Sequence, residues 1–332
     1  MIARGMVIGL VALAVGAAGQ GVTVTDWAGR TVVVPFPPSR VASAFGVATA
    51  YVYALGAGGL LVGARYLGLP ESPLGGEVME RIDPAYRAKG FPGEVSVEVP
   101  VALGADLVFV GRKHVPLADQ LAEVGIPAVV WGPESFPEVR EAILLTGALL
   151  GRGERAAELA SFCDGVLDAV AAATAGVPRE DRPAVLIVGE SAGRVVGGGM
   201  YQTGLVDLAG GASVSRDLPG SWQNVGPEQI LLWDPEVIVI APYGPVTPGD
   251  FLNDPLYQGL RAVRDGRVYK MPQLLFAWDT PIPESVLGVL WLAELLHPGR
   301  VPLDFAAVAT RFYRDFYGVE LRPAELDLLG GR

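Results

Sequence analysis

Residues 154–175 place Ala156, Leu159, Ala160, Cys163, Val166, Leu167 and Val170 on one face of a helix. Their i, i+3, i+4, i+7 spacing has the period of a continuous α-helix. Gly151 and Gly153 precede the segment, and Gly176 and Pro178 close it, as glycine and proline do at helix ends. At 1.5 Å per residue this is a rod roughly 33 Å long. A rod of that length is a stiff connector, unlike a Gly/Ser tether. Near the middle of a 332-residue chain, it restricts the fold to two bodies joined by one rigid helix.

The flanking sequence supplies those bodies. Before the rod, residues 40–44, 60–64, 107–110 and 128–131 read as short buried strands, with helical stretches at 48–55 and 117–124 among them. After it, residues 184–188, 237–241 and 268–271 read as strands and 203–208 and 284–296 as helices. Strands alternating with helices indicate parallel βαβ units. The expected fold class is therefore α/β, with two lobes built on parallel sheets and one long connecting helix. The expected boundaries are 1–20 for a signal peptide, 21–150 for the first lobe, 151–177 for the connecting helix and 178–332 for the second lobe. The lobes share an internal echo. In VSVEVPVALGADLVFVG (95–111) and NVGPEQILLWDPEVIVIA (224–241) a Glu opens a short helical segment, and an acidic residue eight positions on introduces an apolar strand. The pairs are Glu98 with Asp106 and Glu228 with Glu236. Each Glu also suits the positive end of its helix on electrostatic grounds alone.

Charge and cysteine content exclude several classes. The net charge of −11 opposes nucleic-acid binding, which needs a concentrated basic face, and opposes anionic membrane surfaces. The single cysteine, Cys163, cannot form an intramolecular disulfide and reads as a small buried hydrophobe on the helix stripe. At the N-terminus, Arg4 precedes an apolar run over 6–18 that ends in Ala17-Ala18-Gly19. A basic start, an apolar core and small residues at a cleavage point define a secretory signal, too short to span a bilayer comfortably. No cysteine lies near the cleavage point, so a lipid anchor is not expected.

One motif suggests catalysis. VLIVGESAGRVVGGG (185–199) contains Gly189-Glu190-Ser191-Ala192-Gly193, the G-x-S-x-G pattern of a serine-hydrolase elbow. An elbow needs a helix packed behind the Ser and a His later in the chain. Here a Gly-rich stretch follows. Of the two histidines, His114 precedes Ser191, and His297 ends a helix just before Pro298 and reads as its cap. A secreted esterase using Ser191 is a remote alternative. The glycines are expected to let backbone approach something bound at a strand end.

Several phrases carry a resemblance along nearly the whole chain: TVTDWAGRTVVVPFPPSRVAS (23–43), ALGADLVFVG (102–111), LVDLAGGASV (205–214), WQNVGPEQILLWDPEVIVIA (222–241) and LRAVRDGRVYKMP (260–272). The sequence resembles the periplasmic substrate-binding proteins of ABC importers in the helical-backbone class, the receptors for ferric siderophores, haem, cobalamin and some oxyanions. The resemblance implies a ligand cleft between the lobes, a periplasmic location, no catalytic residues, no cofactor and no resident metal. It also implies partnership with an ABC permease and its ATPase subunits, and a monomeric receptor. Glu98 and Glu228 occupy the positions where this family meets permease arginines; such rim charges speed and orient docking.

Ligands of open α/β sheets sit beyond the carboxyl ends of the strands. This rule nominates Arg65, Tyr66, Arg112, Lys113, His114 and Trp131 in the first lobe. In the second it nominates Glu190 to Arg194, Tyr201, Trp222, Tyr243, Trp278 and Asp279. Arg112-Lys113-His114, with Arg65, suit a carboxylate, phosphate or oxyanion. Tyr66, Tyr201, Trp222 and Trp278 suit the flat face of a chelate or macrocycle. The leading expectation is a ferric siderophore-type iron chelate, followed by cobalamin and haem, then molybdate or tungstate. A free divalent metal is disfavoured, because two histidines cannot build a multi-His site.

Overall fold

The computed structural model describes residues 12–16, 19–66, 72–91 and 93–330. The chain divides into two compact units. One holds residues 1–67, 79–133 and 137–161, and the other holds 68–78, 134–136 and 162–332. The expected signal covers 1–20. Of it, residues 1–11, 17 and 18 lie outside the described residues.

The first unit contains two sheets. β1 (Ala12–Gly16), β2 (Gly19–Thr25) and β3 (Thr31–Pro35) form an antiparallel sheet in that order. Sequence reading passed over this sheet. Val22 faces Val34 across the β2–β3 pair, and both are buried, which pins the register. The second sheet comprises β4 (Val41–Ser43), β5 (Leu61–Ala64), β6 (Leu107–Gly111) and β7 (Ala128–Trp131). It is parallel throughout, in the order β5-β4-β6-β7. Its strands are short and nearly all apolar because both faces are covered. The helix Gly46–Ala54 follows β4 and is buried along its whole length.

The second unit is built on β8 (Ala184–Val188), β9 (Arg194–Val195), β10 (Ala212–Ser213), β11 (Gln223–Asn224), β12 (Val237–Ile240) and β13 (Val268–Lys270). β10, β8, β12 and β13 run parallel, while β9 and β11 extend the sheet antiparallel beyond β8. Leu186, Val188, Ile238, Ile240, Ile230 and Phe251 form its core. The helix Ser285–Leu296 is apolar on nearly every side, as a wholly buried helix must be. It ends at His297, which stands at the C-cap with its amide on the Ala293 carbonyl, as expected, while its Nε2 lies 3.1 Å from the Gly210 carbonyl oxygen outside the helix.

The connecting helix spans Gly153–Thr174. Its stripe residues Ala156, Leu159, Ala160, Cys163, Val166 and Val170 are all buried. Burial pushes the Cys163 thiol up to about 12, which leaves it an inert packing group. The chain passes from the first unit to the second within this helix, at Ser161 and Phe162.

The two halves of the sequence echo adopt equivalent structures. Glu98 opens the helix Glu98–Ala102 before β6, and Glu228 lies in the first turn of Pro227–Trp233 before β12. The acidic residue eight positions on fixes the strand entry in each case. Asp106 accepts from the Ser39 amide (2.8 Å), the Ser39 hydroxyl (2.7 Å) and the Arg40 amide (2.9 Å). Glu236 accepts from Arg261 Nη1 at 2.7 Å.

Candidate functional site

The carboxyl ends of β4, β5, β6 and β7 form one edge of the first unit. Arg65 directly follows β5. Its carbonyl accepts from Thr49 Oγ1 at 2.8 Å and its amide donates to the Ser43 carbonyl at 2.9 Å. The backbone is thereby fixed while the side chain is exposed and donates to the Gly93 carbonyl. Arg112, Lys113 and His114 form one exposed helical turn between β6 and the helix Val115–Glu123. Arg112 lies across Gly132, donating from Nε to its carbonyl at 2.8 Å. A Cβ on Gly132 would sit 2.5 Å from the Arg112 side chain, so only glycine leaves room for this guanidinium at the end of β7.

Tyr66 is half-buried and belongs to a polar chain. Its hydroxyl lies 2.9 Å from the Tyr53 hydroxyl, which donates to Asp83 Oδ2 at 2.8 Å; Lys89 Nζ donates to the same oxygen at 2.6 Å. With the Tyr53 proton committed to Asp83, the Tyr66 hydroxyl is the donor to Tyr53. Burial pushes the Tyr66 phenol up to about 12. Against burial, the bonds from Lys89 and Tyr53 hold Asp83 below the usual carboxylate range. Sequence reading missed Tyr53, Asp83 and Lys89, since no local pattern joins three residues spread over 36 positions.

Trp131 is not part of this edge. It is completely buried, with ring centroids 4.5 Å from Trp27, 5.6 Å from Tyr51 and 5.4 Å from Phe109. It forms the floor beneath the edge.

The second unit corrects more of the expected site. Tyr201 is buried, stacked on Phe136 at 4.6 Å, with its hydroxyl 2.5 Å from Ser285 Oγ. Trp278 is fully buried and donates from Nε1 to Glu284 Oε1 at 3.1 Å. Both are core side chains: each ring satisfies its one polar atom inside the protein, and neither presents a face to a ligand. Arg194 and Trp222 do come together, with the guanidinium carbon 5.8 Å from the indole centroid. Trp222 is half-buried and packs on Gly189, where a Cβ would approach its ring to 2.8 Å.

The GESAG segment is the turn of the β8–β9 hairpin. Arg194 donates its amide to the Ser191 carbonyl at 3.0 Å, and Gly189 donates to the Arg194 carbonyl at 2.7 Å. No helix stands behind Ser191, so the elbow geometry is absent from this turn. The following glycines let backbone approach backbone, not a ligand. A Cβ on Gly197 would fall 1.6 Å from the Pro219 carbonyl oxygen, and one on Gly198 would fall 1.7 Å from that of Arg216.

Two buried carboxylates lie behind this edge. Asp279 Oδ2 accepts from the Tyr243 hydroxyl at 2.8 Å and from Gln202 Nε2 at 3.3 Å, and burial pushes its carboxyl up to about 6. Glu284 accepts from Trp278, Tyr313 and Tyr317, and burial pushes it up to about 7. Tyr313 and Tyr317 bracket a single π-helical turn, so this carboxylate ties the C-terminal helices to the core. Among the described residues no group of three or more His, Cys, Asp or Glu side chains is placed to hold a metal ion, and no helix is long and apolar enough to cross a membrane.

Glu98 and Glu228 are both exposed. The Ser96 hydroxyl and Glu98's own backbone hold the Glu98 carboxyl below its ordinary range.

Two α/β units with parallel sheets, joined by one long helix and carrying polar residues at the strand ends, define a substrate-binding protein. A model of the periplasmic binding protein family matches residues 88–275, more than half of the chain, and the chain belongs to that family. Its architecture is the helical-backbone one of ABC-importer receptors. The fold is similar to that of a periplasmic solute-binding protein of Veillonella parvula, with a TM-score of 0.79 and 26% identity over 92% of this chain and 96% of that one. The molybdate periplasmic binding protein MolA of Haemophilus influenzae, solved with molybdate bound, gives a TM-score of 0.79 at 23% identity over 91% and 99% of the two chains. Compared as sequences, this chain and MolA are 25% identical over 73% of this chain and 76% of MolA. An ABC-type Fe3+-hydroxamate transport protein of Saccharomonospora viridis gives a TM-score of 0.65 at 25% identity, over 83% and 98%.

Proposed function

We propose that this protein is the periplasmic receptor of an ABC importer for a small anionic ligand, with a molybdate-type oxyanion as the leading candidate. The observation that carries this reading is the exposed set Arg65, Arg112 and Lys113, with His114, at one sheet edge, where cations can meet an anion with charge-assisted bonds. The aromatic walls expected for a macrocycle lose Tyr201 and Trp278 to the core, which moves an oxyanion ahead of the iron chelate that sequence reading had placed first. The similarity to a molybdate-binding protein supports the same order. An acid-bearing ferric chelate is the second reading, favoured by the surviving Arg194–Trp222 pair and by Tyr66. Residues 1–20 act as the export signal, and Glu98 and Glu228 meet the permease.

The test is a titration of the exported protein with molybdate, tungstate, ferric siderophores, haemin and cobalamin, followed through the fluorescence of half-buried Trp222. Saturation by molybdate or tungstate is the expected result. Silence with both oxyanions, together with saturation by a ferric complex, would hand the site to the second reading. Arg112→Ala removes a charge-assisted contact worth about 1.5–3 kcal/mol, so it should weaken binding of the responding ligand roughly tenfold to a hundredfold. The melting temperature should stay nearly unchanged.

A further inference from the structure

Arg112 carries its charge on a long, exposed side chain, and an arginine that samples many rotamers loses that freedom when it closes on a ligand. The end of β7 restricts it beforehand. β6 and β7 run parallel with Gly111 beside Trp131, so the next residues out, Arg112 and Gly132, meet at the carboxyl ends of the two strands. Arg112 Nε donates to the Gly132 carbonyl at 2.8 Å. The side chain lies so closely on Gly132 that a Cβ there would come within 2.5 Å of Arg112 Cγ and Nε and 2.8 Å of Cδ. Bond and contact act on the same part of the side chain, and with Nε held the plane of the rigid guanidinium is set.

Gly132 is itself well fixed. It is buried and follows Trp131, whose ring is packed among Trp27, Tyr51 and Phe109. Pro133 comes next, and a proline restricts the residue before it to extended backbone. Gly132 does not have a positive φ, so the backbone gives no reason for glycine at this position. The arginine does. The atoms a Cβ would crowd belong to an exposed side chain, which can swing away without disturbing the core.

We infer that Gly132 is a positioning residue for ligand capture: its carbonyl and its missing Cβ hold the Arg112 guanidinium in one orientation at the strand-end edge before an anion arrives. The inference rests on the anionic-ligand reading above, and both residues belong to the first unit. Arg112 supplies the charge-assisted bonds. Gly132 touches no ligand and acts only through the arginine. Preorganisation of this kind raises affinity by removing an ordering cost and adds no contact.

Gly132→Ala is the test, since alanine suits this backbone and crowds only the arginine. Its circular dichroism melt should be unchanged or slightly raised, as for glycine-to-alanine replacements where the backbone is compatible. One arm needs no ligand. The 1H–15N heteronuclear NOE of the Arg112 Nε group, assigned by its loss in Arg112→Lys, should be high in the wild type and low in Gly132→Ala. In the second arm, molybdate and tungstate dissociation constants are measured by calorimetry in a double-mutant cycle. Gly132→Ala should weaken binding roughly threefold to tenfold, the effect of ordering one long side chain on the ligand. In an Arg112→Ala background the same change should have no effect. A purely structural glycine would instead lower the melting temperature and weaken binding equally in both backgrounds, and that result overturns the inference. A mobile wild-type Arg112 Nε, or one equally ordered in Gly132→Ala, overturns it whatever binds. So does oxyanion affinity unchanged by Gly132→Ala. An ordered Arg112 in a wild type that binds neither oxyanion overturns the anion reading, and with it the ligand half of the inference.

Discussion

The strand-end edges of the two units handle charge in opposite ways. In the first unit, Arg112, Lys113 and His114 stand exposed over a floor of hydrocarbon, the buried cluster of Trp27, Tyr51, Phe109 and Trp131. In the second, the ionisable groups lie underneath: Asp279 behind Tyr243, and Glu284 among Trp278, Tyr313 and Tyr317. Each edge rests on a fully buried tryptophan. The Trp131 Nε1 has no hydrogen-bond partner among the described residues, whereas the Trp278 Nε1 is held by Glu284. The floor of the first edge is thus held by apolar packing, which is insensitive to pH. That of the second is held by buried polar bonds, which are strong when satisfied and responsive to protons.

The largest expected effect breaks the first unit's floor. Trp131→Ala removes a ring that touches three other aromatics and should cost about 3–5 kcal/mol, read as a large drop in melting temperature. Trp278→Phe shortens the second unit's ring and strips Glu284 Oε1 of one of its two donors, leaving Tyr313. It should cost about 1–3 kcal/mol, from the lost volume and one lost hydrogen bond to a charged group. Equal losses would mean that the two floors do not differ in kind.

A smaller effect sharpens the contrast through pH. Burial raises Asp279 from 3.8 to about 6 and Glu284 from 4.5 to about 7. A raised acid keeps its proton in the folded state at pH values where the unfolded chain has released it. Stability should therefore fall as pH rises, from about 4 to 6 for Asp279 and from about 4.5 to 7 for Glu284, by up to about 1.4 kcal/mol per pH unit for each group. Asp83 in the first unit is shifted the other way and opposes this trend only at lower pH. Denaturant melts across pH 4 to 8 should show the decline in the wild type and a flatter profile in Glu284→Gln. Its amide oxygen still accepts from Trp278 and Tyr313. A wild-type profile flat over that range would mean that neither carboxylate is raised.

Much of the frame was legible in sequence. Strands 128–131 and 184–188 were read to their last residue, because each is a short apolar run between turn signals. The connecting helix was displaced by one residue. The role of the aromatics was not legible. Trp131 and Trp278 lie near strand ends in sequence, but the partners that claim them, Trp27 and Glu284, are set by tertiary packing. The antiparallel sheet was missed because residues 12–16 belong to an apolar run that also fits an export signal. GESAG misled in the opposite direction: its glycines fit an elbow, a ligand contact or a hairpin, and only the Gly189–Arg194 hydrogen bond decides for the hairpin.

The smallest effect concerns a feature the two units share. Glu98 and Glu228 each stand in the first turn of a short helix leading into a central strand, and each has an exposed apolar neighbour on the next turn, Val101 at 48% and Leu232 at 78% exposure. Both carboxylates are exposed, so Glu98→Ala and Glu228→Ala should each leave stability within about 0.5 kcal/mol of wild type. Ligand affinity should also be unchanged, since both lie before their strands and not beyond the carboxyl ends. Exposed charges at a docking rim act on encounter more than on the bound state. On the proposed docking role, each single variant should slow association with the permease in reconstituted vesicles, with a weaker dependence on salt, and the double variant should slow it further. If one variant alone accounts for the whole effect, the echo in sequence does not carry over to docking, and the two units differ at this surface as they do at their strand ends.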